Sequence, residues 1–167
     1  DWSSDVCSSD LLRLKGKYFR RMSGIRFDGR VKGLTDKNVI REDEGEILFT
    51  EYGISGPPVL QISRSVIEEL NMGRKVYVSV DMFPDLSKVE LYDILSLRFR
   101  KISYKSIEDG LVGFINNRLI TAVLTEAGFE DLNIKCGSLN KKEIYKIIDI
   151  LKEWKFEVAG HNTWQQA

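Results

Sequence analysis

The sequence predicts an α+β chain in which a small β-rich subdomain precedes a helical subdomain. Three observations lead there. Residues 75–83 alternate as a half-buried strand does, with Val76, Val78, Val80 and Met82 on one face. Two capping boxes, Ser87-x-x-Glu90 and Asn140-x-x-Glu143, each open an apolar helical stripe. Phe156 to Val158 then returns to strand character, which predicts a final strand going back toward the first.

The elements follow in chain order. Residues 1–11, DWSSDVCSSDL, have no hydrophobic period and read as the translation of a common sequencing-adapter sequence. They are therefore set aside from fold reasoning. The next stretch is basic, with Arg13, Lys15, Lys17, Arg20, Arg21, Arg26, Arg30 and Lys32 against Asp28. Asp28-Gly29 between two short alternating runs predicts a hairpin with a tight turn. Residues 36–46 are acidic and turn-rich, with Glu42-Asp43-Glu44-Gly45 as the expected loop tip. Residues 47–50 predict a short apolar strand, and 51–58, EYGISGPP, a dense turn. Val59, Ile62, Val66 and Leu70 share a helical face, closed by Asn71-Met72-Gly73.

Beyond Pro84 the pattern is helical. Leu91, Ile94 and Leu95 follow the first capping box. Ser106 is positioned to cap a helix through Ile107, Leu111 and Ile115. Leu119, Ile120, Val123 and Leu124 predict a third helix, stopped by Gly128, and Ile144, Ile147, Ile148 and Leu151 stripe the fourth.

Composition excludes several classes. Lys plus Arg and Asp plus Glu both number 25, so net charge points to no polyanionic partner, and nucleic acid is not expected. No apolar run approaches the ~20 residues of a membrane span, and no secretory signal pattern is visible, so the expected compartment is the cytoplasm. Cys7 and Cys136 make no disulfide framework, and His161 alone makes no histidine metal site. No G-x-x-x-x-G-K-S/T loop and no G-x-G-x-x-G fingerprint is present, so the chain is not itself a dinucleotide-binding domain. No spacing of carboxylates singles out a catalytic pair.

The sharpest local feature is Thr50, Glu51, Gly53, Ser55, Gly56 and Pro57, where a strand runs through two glycines into a helix start. Glycines permit close backbone approach, Ser55 is the expected cap, and proline suits the first helical position. A helix start can face an anion, although Pro57 and Pro58 lack N–H groups. A well-capped structural helix and a ligand-facing loop both fit these residues.

Two segments carry a resemblance. GEILFTEYGISGPPVLQISR, residues 45–64, is similar to the signature of the BaiN/YhiN-like flavoproteins, NAD(P)/FAD-dependent oxidoreductases of aminoacetone-oxidase type. KFEVAGHNTWQQA, residues 155–167, resembles the family's return to its flavin domain. The resemblance implies an insert made of an elongation-factor-like β-barrel and a helical subdomain, interrupting a Rossmann-type domain that binds FAD. It implies boundaries of 12–86 for the barrel part, 87–153 for the helical part and 154–167 for the return. It also implies FAD in the intact parent and none in this chain alone, a missing flavin domain as partner, and a small-molecule substrate. The six residues from Thr50 to Pro57 are then expected near the cofactor or substrate. A different class, an RNA-binding or translation-factor-like barrel, rests on the basic stretch.

Overall fold

The computed structural model describes residues 11–36 and 38–161. The adapter-like segment thus falls outside the described residues, apart from Leu11. The chain divides into two compact units, 11–82 with 155–161, and Phe83–Trp154.

The first unit is a closed barrel of six strands: β1 (Leu12–Leu14), β2 (Arg26–Leu34), β3 (Val39–Phe49), β4 (Gly53–Ser55), β5 (Tyr77–Asp81) and β6 (Trp154–His161). Their order around the barrel is β1-β4-β3-β2-β5-β6. β1 pairs antiparallel with both β4 and β6, with Leu12 opposite Ile54 on one side and His161 on the other. The final strand therefore does return to the first. Val158 N–H donates to the Val76 carbonyl at 2.9 Å on the β5 side of β6.

The long β2–β3 hairpin overturns two expectations. Asp28-Gly29 is not a turn but lies mid-strand, and Glu42-Asp43-Glu44-Gly45 is not a loop tip but pairs rung by rung with Lys32, Val31, Arg30 and Gly29. The reversal comes instead between the end of β2 at Leu34 and the start of β3 at Val39, where Thr35 N–H donates to the Asn38 carbonyl at 3.0 Å. The physical reason is charge complementarity across strands, which neither segment shows alone. Arg30 meets Glu44 at 3.4 Å and Glu42 at 3.9 Å, and Arg26 meets Glu46 at 3.5 Å. Exposed pairs of this kind contribute roughly 0.2–1 kcal/mol each, enough to fix a register. Gly29 is strand glycine of the close-approach type: a Cβ there would stand 2.6 Å from the Asp81 carbonyl oxygen.

Inside, Val31, Ile47, Phe49, Ile54, Val76, Val78, Val80 and Val158 are buried. Met82, expected to continue the β5 stripe, lies beyond the strand and is only half-buried. A one-turn helix, α1 (Phe19–Met22), was hidden by the flanking Arg20 and Arg21. It delivers Phe19 and Met22 to the core, and Phe19 packs on Phe156 and Phe49 at ring-centroid distances of 4.9 and 6.2 Å. Helix α2 (Pro57–Asn71) packs against β2, β3 and β4 through Val59, Ile62 and Val66. Gly33 makes room for it, since a Cβ there would meet Val66 at 2.8 Å.

The second unit holds α3 (Lys88–Lys101), α4 (Ile107–Gly110), α5 (Asn117–Glu126), a 3₁₀ turn (Cys136–Ser138) and α6 (Lys141–Lys152). Both capping boxes form as expected: Ser87 Oγ accepts from Glu90 N–H at 3.1 Å, and Asn140 Oδ1 from Glu143 N–H at 2.8 Å. The α3 stripe is Leu91, Leu95 and Phe99; Ile94 is 41% exposed, off the i, i+4 line of the other three. Ile144, Ile147, Ile148 and Leu151 are buried on α6, and Tyr92 of α3 stacks on Tyr145 of α6 at 5.0 Å. The helix expected from Ser106 to Ile115 ends after one turn at Gly110. There Arg98 Nε takes the Gly110 carbonyl at 2.7 Å and its other nitrogen takes that of Val112, so those acceptors leave the helical ladder. Lys152 Nζ donates to the Phe83 carbonyl at 2.8 Å and to that of Leu86, tying the incoming chain to the end of α6.

Truncating Ile148 to Ala is expected to cost about 2–5 kcal/mol, whereas Ile94→Ala should stay within about 0.5 kcal/mol. Urea unfolding of the two variants checks this; equal losses would contradict the assigned α3 face.

Candidate functional site

The six residues expected to form a site are brought together by one tight connection. Thr50 follows the last residue of β3, and its N–H donates to the Gly53 carbonyl at 2.9 Å. Its Oγ1 accepts from Tyr52 N–H at 3.3 Å, a short hydroxyl turn that sets the direction of the tip. Glu51 and Tyr52 form the exposed tip, and the Arg13 guanidinium lies over the Tyr52 ring at 4.9 Å. Gly53 and Ser55 are not loop residues but two thirds of β4, which pairs with β1 and β3.

One expectation about this segment is corrected. The helix cap is Gly56, at φ +121° and ψ 167°, with no side-chain hydrogen bond; Ser55 sits in strand register opposite Leu48 and caps nothing. Both glycines allow a close approach of backbone to backbone. A Cβ at Gly53 would collide with the Leu12 carbonyl oxygen, and one at Gly56 with the Glu46 carbonyl oxygen. The start of α2 is likewise poor at receiving an anion. Pro57 and Pro58 carry no N–H, and Val59, the first helical donor, is fully buried. What the segment offers outward is the tip itself: Glu51, Tyr52 and the adjoining Arg13.

Cys136 is no nucleophile. It is buried beneath Gly110, where a Cβ would strike its sulfur, and it donates weakly to the Ser106 carbonyl at 3.4 Å. Burial pushes its thiol pKa up, disfavouring the thiolate. His161 is described by its backbone alone. Among the described residues no group of three or more His, Cys, Asp or Glu could hold a metal, and no helix is long and apolar enough to cross a membrane.

Three of the cations in the basic N-terminal stretch, the ground for an RNA-binding barrel, are in ion pairs within the barrel. Arg26 and Arg30 face β3 carboxylates, and Lys15 meets Glu157 at 3.2 Å. Sequence reasoning missed Tyr52 and Arg13 because their approach depends on the β1–β4 rung, which no local pattern announces.

The described residues thus form a closed six-stranded barrel whose chain is interrupted, between β5 and β6, by a capped helical unit. The chain belongs to the family described as HI0933-like protein barrel and H2TH domain, whose pattern matches residues 12–167. It is 34% identical over 156 residues to the 3-dehydro-bile acid delta(4,6)-reductase of Clostridium scindens, covering 93% of this chain and 38% of that protein. It is 26% identical over 140 residues to the ribosomal RNA dihydrouridine synthase of Escherichia coli, covering 81% of this chain and 32% of that protein. The enzyme of the same name from Haemophilus influenzae is 24% identical over 151 residues, 90% of this chain and 34% of that protein. The chain thus spans about a third of the length of the curated relatives it matches.

Ser55→Ala should change stability by less than about 0.5 kcal/mol, because no cap is lost, while Gly53→Ala should prevent β4 from seating on β1. Thermal melts of the two variants distinguish these. Cys136 should react with iodoacetamide far more slowly than free cysteine at pH 8. Its raised pKa also sets a sign: the unfolded chain ionises first, so its contribution is intact below the ordinary thiol range and stability falls as pH rises through it. A Cys136→Ser variant that kept the same alkaline fall would refute that attribution.

Proposed function

We propose that this chain is the barrel-and-helix insert of a larger FAD-dependent oxidoreductase, lying over the flavin and helping to shape a substrate pocket against a Rossmann-type domain. The observation that carries this is the pairing of Leu12 with His161. A module whose first and last strands share a rung enters and leaves a host domain at one place, as an insert must. The share of the relatives' length that it spans, about a third, fits the same reading.

The described residues do not fit a flavin cradle. Gly53 and Gly56 are packed against backbone, and α2 opens on two prolines, which carry no N–H. The flavin would be held by the host domain, and this chain alone should carry none. Its contribution to the site would be the exposed tip, Glu51 and Tyr52, with Thr50 setting the turn and Gly53, Ser55, Gly56 and Pro57 fixing the tip to the barrel. One relative is named for a bile acid and two for ribosomal RNA, so the substrate of the whole protein is open between a small molecule and a nucleic acid.

The test is the reconstructed full-length enzyme carrying Glu51→Gln or Tyr52→Ala. At least one should change the rate of flavin reduction or reoxidation by more than about tenfold, equivalent to 1.4 kcal/mol of barrel-to-site interaction, with the melting temperature little changed. Normal turnover in both variants would leave the tip a structural turn. The 167-residue chain alone should purify colourless; stoichiometric flavin released on denaturation would overturn the division of labour.

A further inference from the structure

We propose that the outward face of α3 is a self-association surface, on which a second copy of this chain packs its own α3 antiparallel about a two-fold axis. The inference goes beyond the insert reading and does not use it, since it concerns the helical unit and needs no cofactor.

α3 buries one stripe and leaves another without a partner. Leu91, Leu95 and Phe99 form the buried stripe. Glu90, Ile94, Leu97 and Lys101 form the other. Successive steps of four, three and four residues keep them on one side of the helix over about 16 Å of its axis. All four are exposed, Ile94 by 41% and Leu97 by 48%. Val112 is 47% exposed and belongs to the segment fastened to α3 by Arg98, whose guanidinium takes the Val112 carbonyl. An exposed aliphatic side chain is ordinary when single. Two in adjacent turns of one stripe, with a third on a segment tied to the same helix, make a patch.

The stripe is its own complement. From either end it reads charge, aliphatic, aliphatic, charge at the same spacing, and its two ends carry opposite signs. A second α3 turned end for end, about an axis at the level of Leu95 and Ser96, sets Ile94 opposite Leu97 of the other copy. The same rotation sets Glu90 opposite Lys101, and each contact occurs twice, as in any isologous pair. Antiparallel helices also bring like flanks together. Asp93 and Arg100 are exposed and two turns apart on one flank, so they face Arg100 and Asp93 of the second copy.

The charges are available for this. Neither Arg100 nor Lys101 has an ion-pair partner among the described residues, and neither has Glu90. Glu90 closes its capping box through one oxygen, Oε1, which accepts from Ser87 N–H at 2.8 Å. The helix dipole accounts for a carboxylate at the start of α3 and a cation at its end. It gives no reason for aliphatic side chains in solvent between them, whereas a facing helix with the same pattern does. Steps of three and four are those by which two helices interlock at a shallow crossing angle. Roughly three turns make a small interface, so the association is weak and reversible, with a dissociation constant of about 100 µM.

Sedimentation equilibrium of the 167-residue chain over a concentration series tests this. Wild type should pass from monomer to dimer and stop there, because two-fold pairing closes on itself. Leu97→Lys should weaken association by about tenfold or more, and Glu90→Lys and Lys101→Glu each by about fivefold or more. An equimolar mixture of the last two should recover association to within about twofold of wild type, because each reversed charge then meets its opposite. A charge change on another helix, Lys146→Glu, should stay within about twofold of wild type. If Glu90→Lys melts early through loss of its capping box, Glu90→Gln keeps a side chain able to close the box and should still weaken association. A monomer at every concentration would overturn the proposal and leave the face to another part of the intact protein or to a different protein. Dimers unchanged by Leu97→Lys, or a mixture that associates no better than its two components, would overturn it as well. Because no flavin enters the measurement, its failure leaves the insert reading untouched.

Discussion

Closure of the barrel depends on the approach of β4 to the three-residue strand β1. β1 is the shortest possible link between β4 and β6, with only Leu12 to Leu14 to satisfy both neighbours. β4 is equally short, so neither strand can rely on length. Close approach supplies what length does not. Gly53 brings its backbone against the Leu12 carbonyl where any Cβ would collide, and Leu12 and Ile54 bury completely on the two sides of the same rung. Without that seam the sheet would be open at β1, exposing unpaired strand edges to other chains. The tip at Glu51 and Tyr52, the start of α2 and the return of β6 all inherit their positions from it.

Legibility followed the range of the interactions. Both capping boxes were readable because donor and acceptor lie three residues apart in one segment. The α6 stripe was readable for the same reason. The β2–β3 hairpin was not. Asp-Gly and Glu-Asp-Glu-Gly are turn chemistry when viewed locally, and their strand character appears only when Arg30 is set opposite Glu44. The pairing was nonetheless present in the sequence, as a basic run of alternate residues followed by an acidic one. Opposite-sign alternation in neighbouring segments is a strand-pairing signal that a residue-by-residue turn reading discards.

The site shows the same division from the other side. Residue types at 50–57 were read correctly as a strand-to-helix connection, and the structure brings them together as one. Roles were less legible. Ser55 looked like a cap because it precedes Gly-Pro-Pro, yet the strand extends to it, and the cap passes to Gly56, whose φ of +121° only glycine takes easily. A capping side chain must point back along the helix, whereas a strand residue is held by its ladder; Ser55 could not do both. The expectation failed because a three-residue strand is too short to leave a period.

Gly53 and Gly56 pack against backbone, and a helix opening on two prolines has few donors to give. In this segment, polar capacity is therefore displaced outward to Glu51, Tyr52 and Arg13, which the glycines hold but do not join. Arg13 comes from β1 and Tyr52 from the β3–β4 turn, so their contact at 4.9 Å exists only when the seam is closed. The position of the tip is in this sense a readout of barrel closure. A change that opens the β1–β4 rung would remove Arg13 from the tip without touching a tip residue.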